Sequence, residues 1–195
     1  MRSLGTRLPR NLALVLMLMV GLVCAAHAAP VHYQVTLDGP SESPPNASTG
    51  LGVAAVDVDL AAHTLYIHLI FSGLTGTTTA CHIHAPTAVA LTGTASVATT
   101  TPYFAGFPIG VTAADFTITL DQTLSTSYNA PFVTGNGGTT ATAEAALASY
   151  IAAGKAYLNV HSSTFGGGEI RGFIVPGQPT PTVPTSWGRI KTLYR

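Results

Sequence analysis

Three of the seven histidines in this 195-residue chain stand at spacings that would bring their imidazole rings together. His82 and His84 lie two residues apart in the run CHIHAP, residues 81–86. Side chains alternate between faces of a β-strand, so the two rings project to one side and Cys81 to the other. His161 ends a second strand-like run, YLNVH, and if the two runs are neighbours three neutral nitrogen ligands converge.

The chemistry predicted for this trio is metal binding. Three imidazoles suit copper or zinc, and an open fourth coordination position would take water or a substrate. The alternative is structural: paired histidines make hydrogen bonds that lock a loop against the strand ending at His161. The residue types leave both interpretations open. His68 is a further candidate ligand, although alternation favours a half-buried position on the second sheet face.

Two charged residues follow the third histidine in the run GGGEIRGF, residues 166–173. Glu169 and Arg171 share a strand face by alternation, which predicts a salt bridge that supports the closing hairpin near the histidines. The sequence has no nucleophile elbow, no phosphate-binding glycine loop and no suitably spaced pair of carboxylates, so no catalytic residue is assigned.

The elements that must position these residues are mostly β-strands. Alternating apolar and polar residues in HYQVTLDG predict a strand, and LGVAAVDVDL followed by HTLYIHLIFSGL predicts a hairpin. One short Ala-rich helix is predicted over residues 140–153, ended by Gly154. We therefore expect an all-β domain, an antiparallel β-sandwich or Greek-key barrel with one short helix.

The first 28 residues have the pattern of a secretory signal peptide. Three arginines precede an apolar stretch and the sequence Ala26-His27-Ala28 fits a cleavage site. We expect an exported protein that is periplasmic, cell-surface or extracellular and keeps no membrane span after cleavage. The mature chain then has five Lys and Arg against eight Asp and Glu, a net charge of −3, which argues against nucleic-acid binding.

Removal of the signal also leaves Cys81 as the only cysteine, so an internal disulfide is excluded. Residues 177–195 change composition to a Pro/Thr linker with a short basic and aromatic tail, which suggests a surface contact or an unpacked end. Neither feature identifies a protein or surface partner.

Taken together, LYIHLIFSGL, AxHIHAP and YLNVHSSTFGGGEIRGFI resemble the CHRD domain, a module first defined in the growth-factor antagonist chordin and also found in exported bacterial proteins. The resemblance covers the β domain predicted over residues 29–176. It implies that His82, His84 and His161 correspond to the family's histidines. Ala85 stands where the family commonly has glycine, and Cys81 where a small residue is usual.

Three functions are compatible with these observations. The first is an exported binding module that holds copper or zinc through three histidines, with no catalysis assigned. The second is a small copper redox enzyme that uses the open coordination position. The third is a structural or adhesive surface domain in which the histidines only pack.

Overall fold

The computed structural model describes residues 28–177 of the chain. The predicted signal peptide, apart from Ala28, and the predicted C-terminal linker and tail, apart from Gly177, lie outside these residues. The elements are β1 (Val31–Asp38), β2 (Leu51–Asp59), β3 (Thr64–Ser72), β4 (Thr78–His84), β5 (Ala114–Asp121), a 3₁₀ turn (Ser125–Ser127), α1 (Ala130–Gly135), α2 (Thr140–Ala152), β6 (Tyr157–Ser162), β7 (Ile170–Phe173) and β8 (Val175–Pro176).

The strands form one sheet in the order β4-β6-β7-β1-β2-β3-β5, with β8 added against β1. Every pairing between the strands is antiparallel. The sheet curls into a half-barrel, which confirms the predicted all-β fold class. The sheet order places β6 between β4 and β7, so the two histidine runs are neighbours.

Alternation explains which face of each strand is buried. In β1 the side chains of Tyr33, Val35 and Leu37 are buried, while the residues between them face outward. The predicted hairpin of β2 and β3 is confirmed, with Leu51 opposite Ser72 and Asp59 opposite Thr64. These apolar faces pack into a single core that also receives Cys81 and Ile83 from β4.

The Ala-rich helix α2 is confirmed, and its ends follow from local hydrogen bonds. The hydroxyl of Thr139 accepts from the backbone N–H of Thr142 at 3.1 Å, which caps the first turn. Gly154, with φ +66, ends the helix in the left-handed conformation that favours glycine. The sequence did not predict the six-residue α1, whose apolar periodicity is too short to distinguish it from a loop.

The long segment between β4 and β5, residues 85–113, covers the free edge of β4. The backbone N–H of Cys81 donates to the carbonyl of Pro102 at 3.3 Å, and that of Ala98 donates to the carbonyl of Ile83 at 2.9 Å. These bonds occupy backbone N–H and C=O groups at the edge of β4 that could otherwise pair with a strand of another chain. They also bring backbone carbonyls of the segment beside the histidines of β4.

No helix among residues 28–177 is long and apolar enough to cross a membrane.

Candidate metal centre

The pairing of β4 with β6 brings the three histidines to one face of the sheet. Ala80 lies opposite His161 and His82 lies opposite Asn159, so the rings of His82, His84 and His161 project to the same side. Cys81 projects to the other side, is fully buried and belongs to the apolar core. The alternation argument from the sequence is therefore confirmed for all four residues.

The three rings are in direct contact. The centroid of the His82 ring is 4.7 Å from that of His84 and 4.8 Å from that of His161. One ring nitrogen from each histidine lies within 4.8 Å of the corresponding atoms of the other two. His82 Nε2 and His161 Nε2 are 3.1 Å apart. The trio predicted from the sequence is thus brought together as one cluster.

Hydrogen bonds to backbone carbonyls determine which nitrogen of each ring is free. A carbonyl oxygen only accepts, so the Nδ1 that contacts it must be protonated, and in a neutral imidazole the Nε2 then has an unshared lone pair. All three histidines make such a bond. The acceptors are Pro102 for His82 at 2.9 Å, Ala95 for His84 at 2.8 Å and Gly166 for His161 at 3.0 Å.

Burial keeps the rings neutral near physiological pH. Loss of solvation lowers the pKa of His82 to about 4, although its hydrogen bond to Pro102 opposes this. Burial likewise lowers the pKa of His84 to about 4, and the neighbouring charge of a protonated His82 would lower it further. Burial lowers the pKa of His161 in the same direction. Each ring is therefore a neutral imidazole, the form in which histidine binds a metal ion, and not a cation.

The cluster has the donor set of a transition-metal site, and one of its three nitrogen pairs has the spacing of ligands on a shared ion, while all three nitrogens lie within 4.8 Å of one another. Bonds of about 2.0–2.1 Å in a tetrahedral zinc site place ligand nitrogens about 3.3 Å apart. The 3.1 Å separation of the His82 and His161 Nε2 atoms is close to this value. His84 Nε2 is buried and has no hydrogen-bond partner, although other atoms of that residue reach solvent. Such an unpartnered buried acceptor fits a missing ligand bond.

An aromatic side chain supports His84. The Tyr157 ring stacks on the His84 ring with centroids 4.7 Å apart and planes at 8°. The guanidinium carbon of Arg171 lies 4.7 Å from the centre of the same tyrosine ring. Because β6 lies between β4 and β7, Tyr157 is held between a cation and a histidine. This arrangement fixes the orientation of the His84 ring.

The expected ion pair between Glu169 and Arg171 is not formed among the described residues. Glu169 precedes β7, so strand alternation does not extend to it. Its carboxylate accepts from the Ser48 hydroxyl at 2.6 Å and from the backbone N–H groups of Thr75 and Gly76. Burial would raise the pKa of Glu169, but these hydrogen bonds outweigh it and lower the pKa. The Glu169 carboxylate therefore connects its own segment to the loop that contains Ser48 and to the turn that contains Thr75 and Gly76. It does not form the salt bridge that was predicted to support the hairpin near the histidines.

Arg171 pairs with a residue that the sequence did not single out. Its Nε lies 3.8 Å from Glu42 Oε2 and donates to the carbonyl of Ser41 at 2.5 Å. Both Glu42 and Arg171 are buried. Glu42 comes from the loop between β1 and β2, whose Pro and Ser content predicts a loop but gives no indication that one of its acids is buried.

The three other histidines among residues 28–177 lie outside the cluster. His68 Nε2 contacts Asp115 Oδ1 at 2.8 Å on the outer face of the sheet, which confirms the half-buried position and excludes it as a fourth ligand in this conformation. His63, in the turn between β2 and β3, is about half exposed and contacts Glu144 of α2 at 2.8 Å. His32 contacts Asp57 at 2.5 Å.

Sequence reasoning missed two neighbours of the cluster that alternation could have found. Tyr157 and Asn159 precede His161 by four and two residues on the same strand, and therefore share its face. Both are buried. The signal was present in YLNVH, but an aromatic residue and an amide on a strand are usually read as packing.

Comparison with known proteins identifies one family. A family model described as CHRD domain matches residues 33–174, which is most of the chain and includes all three histidines. No curated protein and no solved structure gives a significant match.

Proposed function

The chain belongs to the CHRD domain family, and from that premise we propose that it is an exported binding module that holds one copper or zinc ion. The ligands are the Nε2 atoms of His82, His84 and His161, and no catalysis is assigned. Export rests on the signal-peptide pattern of residues 1–28.

One observation supports the metal site above all others. Each of the three histidines donates Nδ1–H to a backbone carbonyl, which leaves three Nε2 lone pairs directed into one cluster. Metal-binding histidines in proteins use the same device, because a hydrogen bond at one ring nitrogen orients the other toward the ion. The carbonyls belong to two separate loops, so the orientation of the rings depends on the folded domain.

The donor set favours copper or zinc over other biological cations. Imidazole nitrogens suit zinc and copper, whereas calcium and magnesium require oxygen ligands. The cluster offers nitrogen only, and Cys81 faces the core on the opposite side of β4. A three-histidine site leaves one coordination position for water or another ligand.

The purely structural alternative is also supported by an observation. The same Nδ1 bonds tie residues 95–102 and the turn at Gly166 to the sheet, which is what packing histidines would do. However, packing alone would leave the lone pairs of His82 and His161 facing each other at 3.1 Å and His84 Nε2 without a partner. A bound cation removes both problems.

Metal titration of the untagged mature protein tests this proposal. After chelation, Zn²⁺ or Cu²⁺ is added in a calorimeter, and we expect one equivalent to bind. The His82→Ala, His84→Ala double variant should lose this binding, whereas His68→Ala, which removes a histidine from the outer sheet face, should keep it. Equal binding by the double variant and the wild type would refute the three-histidine site. Redox cycling of bound copper with superoxide or peroxide would favour the enzyme alternative.

The export proposal has its own test. Mass spectrometry of protein recovered from outside the cytoplasm should give an N-terminus at Ala29. Recovery only from the cytoplasm with residues 1–28 intact would contradict it.

A further inference from the structure

An apolar cavity lies between the sheet and helix α2, at the end of the domain where β1 begins and β2 ends. Its volume is about 420 Å³, within the range for small-molecule sites. Of the eleven residues that line it, only Tyr33 and Ser149 carry a polar side-chain atom. The large side chains come from the strand side and the small ones from the helix: Val31, Tyr33, Val58 and Leu60 against Ala145 and Ala148. The cavity therefore suits an apolar occupant.

Two of the large side chains in this lining reach solvent. Val31 and Leu60 are each 54% exposed. Covering apolar surface of this kind is favourable in proportion to the area removed from water. On the opposite wall α2 presents only Ala and Ser side chains, which leave room for a bulky group. A segment that brings one large aromatic or aliphatic side chain would fill the cavity and cover both exposed residues.

The chain leaves the described residues beside this cavity. Pro176 of β8 lies opposite Tyr33, and the backbone N–H of Gly177 donates to the carbonyl of His32 at 3.1 Å. Because β8 runs antiparallel to β1, the direction of the chain at Gly177 is toward Val31, which lines the cavity. β8 also contacts α2. The residues that follow Gly177 therefore begin next to both walls.

The eighteen residues that follow, 178–195, have the length and the side chains to occupy the cavity. Ten extended residues span up to about 33 Å, and α2, with 13 residues, is about 20 Å long, so Trp187 can reach every part of the cavity. Tryptophan buries a large apolar area, and its N–H requires an acceptor, which the Ser149 hydroxyl offers. The large apolar side chains of the last nine residues are Trp187, Ile190, Leu193 and Tyr194.

Charge also favours contact between this segment and the domain. Residues 28–177 contain two Lys and Arg against eight Asp and Glu, a net charge of −6, whereas residues 178–195 contain three Lys and Arg and no acid. Asp59 directly precedes Leu60, and Glu144 directly precedes Ala145, so an acidic residue adjoins each wall of the cavity. Opposite charges attract the basic segment to this surface.

We propose that the C-terminal tail, residues 178–195, docks in the cavity between β1, β2 and α2 of its own chain, with Trp187 as the side chain that enters it. Attachment at Gly177 gives the tail a high effective concentration at the cavity, so a modest affinity is sufficient. Cleavage after Ala28 removes one of the eleven lining residues and leaves the others in place. The docking does not use the three histidines and requires no metal ion.

Fluorescence tests this proposal directly, because Trp187 is the only tryptophan in the chain. In the mature full-length protein, kept in chelator, we expect emission at shorter wavelength and slower quenching by acrylamide than in the same chain unfolded in urea. The Ala145→Gln, Ser149→Gln double variant places two longer polar side chains in the cavity. It should shift the Trp187 emission and the quenching rate to those of the unfolded chain.

A matched control is the Ala141→Gln, Ala153→Gln double variant. These two alanines are also exposed, at the two ends of α2, but they do not line the cavity. The control should keep the emission and quenching of the wild type. Far-UV circular dichroism reports whether each variant is folded.

The docking is refuted if Trp187 in the folded wild type emits and is quenched as in urea. Protection of Trp187 that persists in a folded Ala145→Gln, Ser149→Gln variant would place the side chain somewhere other than this cavity. Protection that disappears on dilution, together with a dimer at high concentration, would show that the tail occupies the cavity of a second copy instead of its own. Because metal is absent throughout, these results do not depend on the histidine site.

Discussion

The Nε2 atoms of His82 and His161 lie 3.1 Å apart, and both rings already donate their Nδ1 protons to backbone carbonyls. In the neutral state neither Nε2 has a proton to share, so two lone pairs are opposed in a buried space. Protonating one ring would relieve this, but burial lowers the pKa of both. A metal ion bound by both Nε2 atoms would remove this repulsion, as the proposed function requires.

Between pH 6.5 and 4, acid should remove the stability that the neutral rings of His82 and His84 contribute to the metal-free protein. The folded-state pKa of His82 and His84 is lowered from 6.5 to about 4, so the unfolded chain binds more protons between these values. The stability that each neutral ring contributes is therefore full above pH 6.5 and falls as the pH drops toward 4, by at most about 3 kcal/mol per ring. Urea unfolding at pH 4 to 7.5 measures this.

The His84→Gln variant should show a smaller loss over that range, whereas His68→Ala should match the wild type. Glu42, whose pKa burial raises from 4.5 to about 7, acts in the opposite direction over part of this range, so the test is the difference between the variant and the wild type. An identical pH dependence for His84→Gln and the wild type would show that the His84 ring is not held neutral by burial.

Tyr157 should act through its ring and not through its hydroxyl. Tyr157→Phe keeps the stack on His84 and loses only the 3.3 and 3.4 Å contacts with the Ala95 backbone, so we expect a cost below about 1 kcal/mol. Tyr157→Ala should cost about 3–5 kcal/mol and weaken metal binding. Chemical denaturation and metal titration of both variants provide the comparison. A Phe variant as impaired as the Ala variant would assign the role to the hydroxyl.

Arg171 should be energetically coupled to Glu42 and much less to Glu169. Glu42 is the charged partner of Arg171, at 3.8 Å, whereas Glu169 is bonded to other segments. Double-mutant cycles with Arg171→Met and either Glu42→Gln or Glu169→Gln measure the two coupling energies. We expect about 1 kcal/mol or more for the first and less than about 0.5 kcal/mol for the second. The reverse order would restore the ion pair predicted from the sequence.

Glu169 should be among the most sensitive residues for stability. Its carboxylate is fully buried and accepts hydrogen bonds from Ser48, Thr75 and Gly76. Glu169→Gln places an N–H₂ group against these donors and should cost about 2–4 kcal/mol in the free energy of unfolding. Asp59→Asn alters a half-buried acid at the end of β2 that accepts from backbone N–H groups of the following turn, and it should cost less than about 1 kcal/mol. Similar losses for both would contradict the joining role of Glu169.

The parts of the fold that follow strand periodicity could be predicted from the sequence. Alternation predicted the buried face of β1, the hairpin of β2 and β3, and the opposite orientations of His82 and Cys81. It succeeded because one face of each strand is buried in the apolar core, which makes the register unambiguous. The three-histidine cluster followed from the same rule once β4 and β6 were neighbours.

Contacts made by loops could not be predicted in this way. The partners of Glu169 and the burial of Glu42 depend on how the loops of residues 39–50 and 73–77 fold against the sheet, and loops have no periodicity that encodes such a path. The backbone carbonyls that orient the histidines also belong to loops. The side chains of a site can be identified from the sequence, but the backbone groups that will contact them cannot.

Nitrogen-15 NMR of the histidine rings during a zinc titration tests the three-histidine site most directly. In the metal-free protein near pH 7 we expect His82, His84 and His161 to be neutral with the proton on Nδ1. One equivalent of Zn²⁺ should then shift all three Nε2 signals while those of His32, His63 and His68 stay unchanged. Unshifted Nε2 signals in the cluster, or shifts confined to the other histidines, would contradict the metal site.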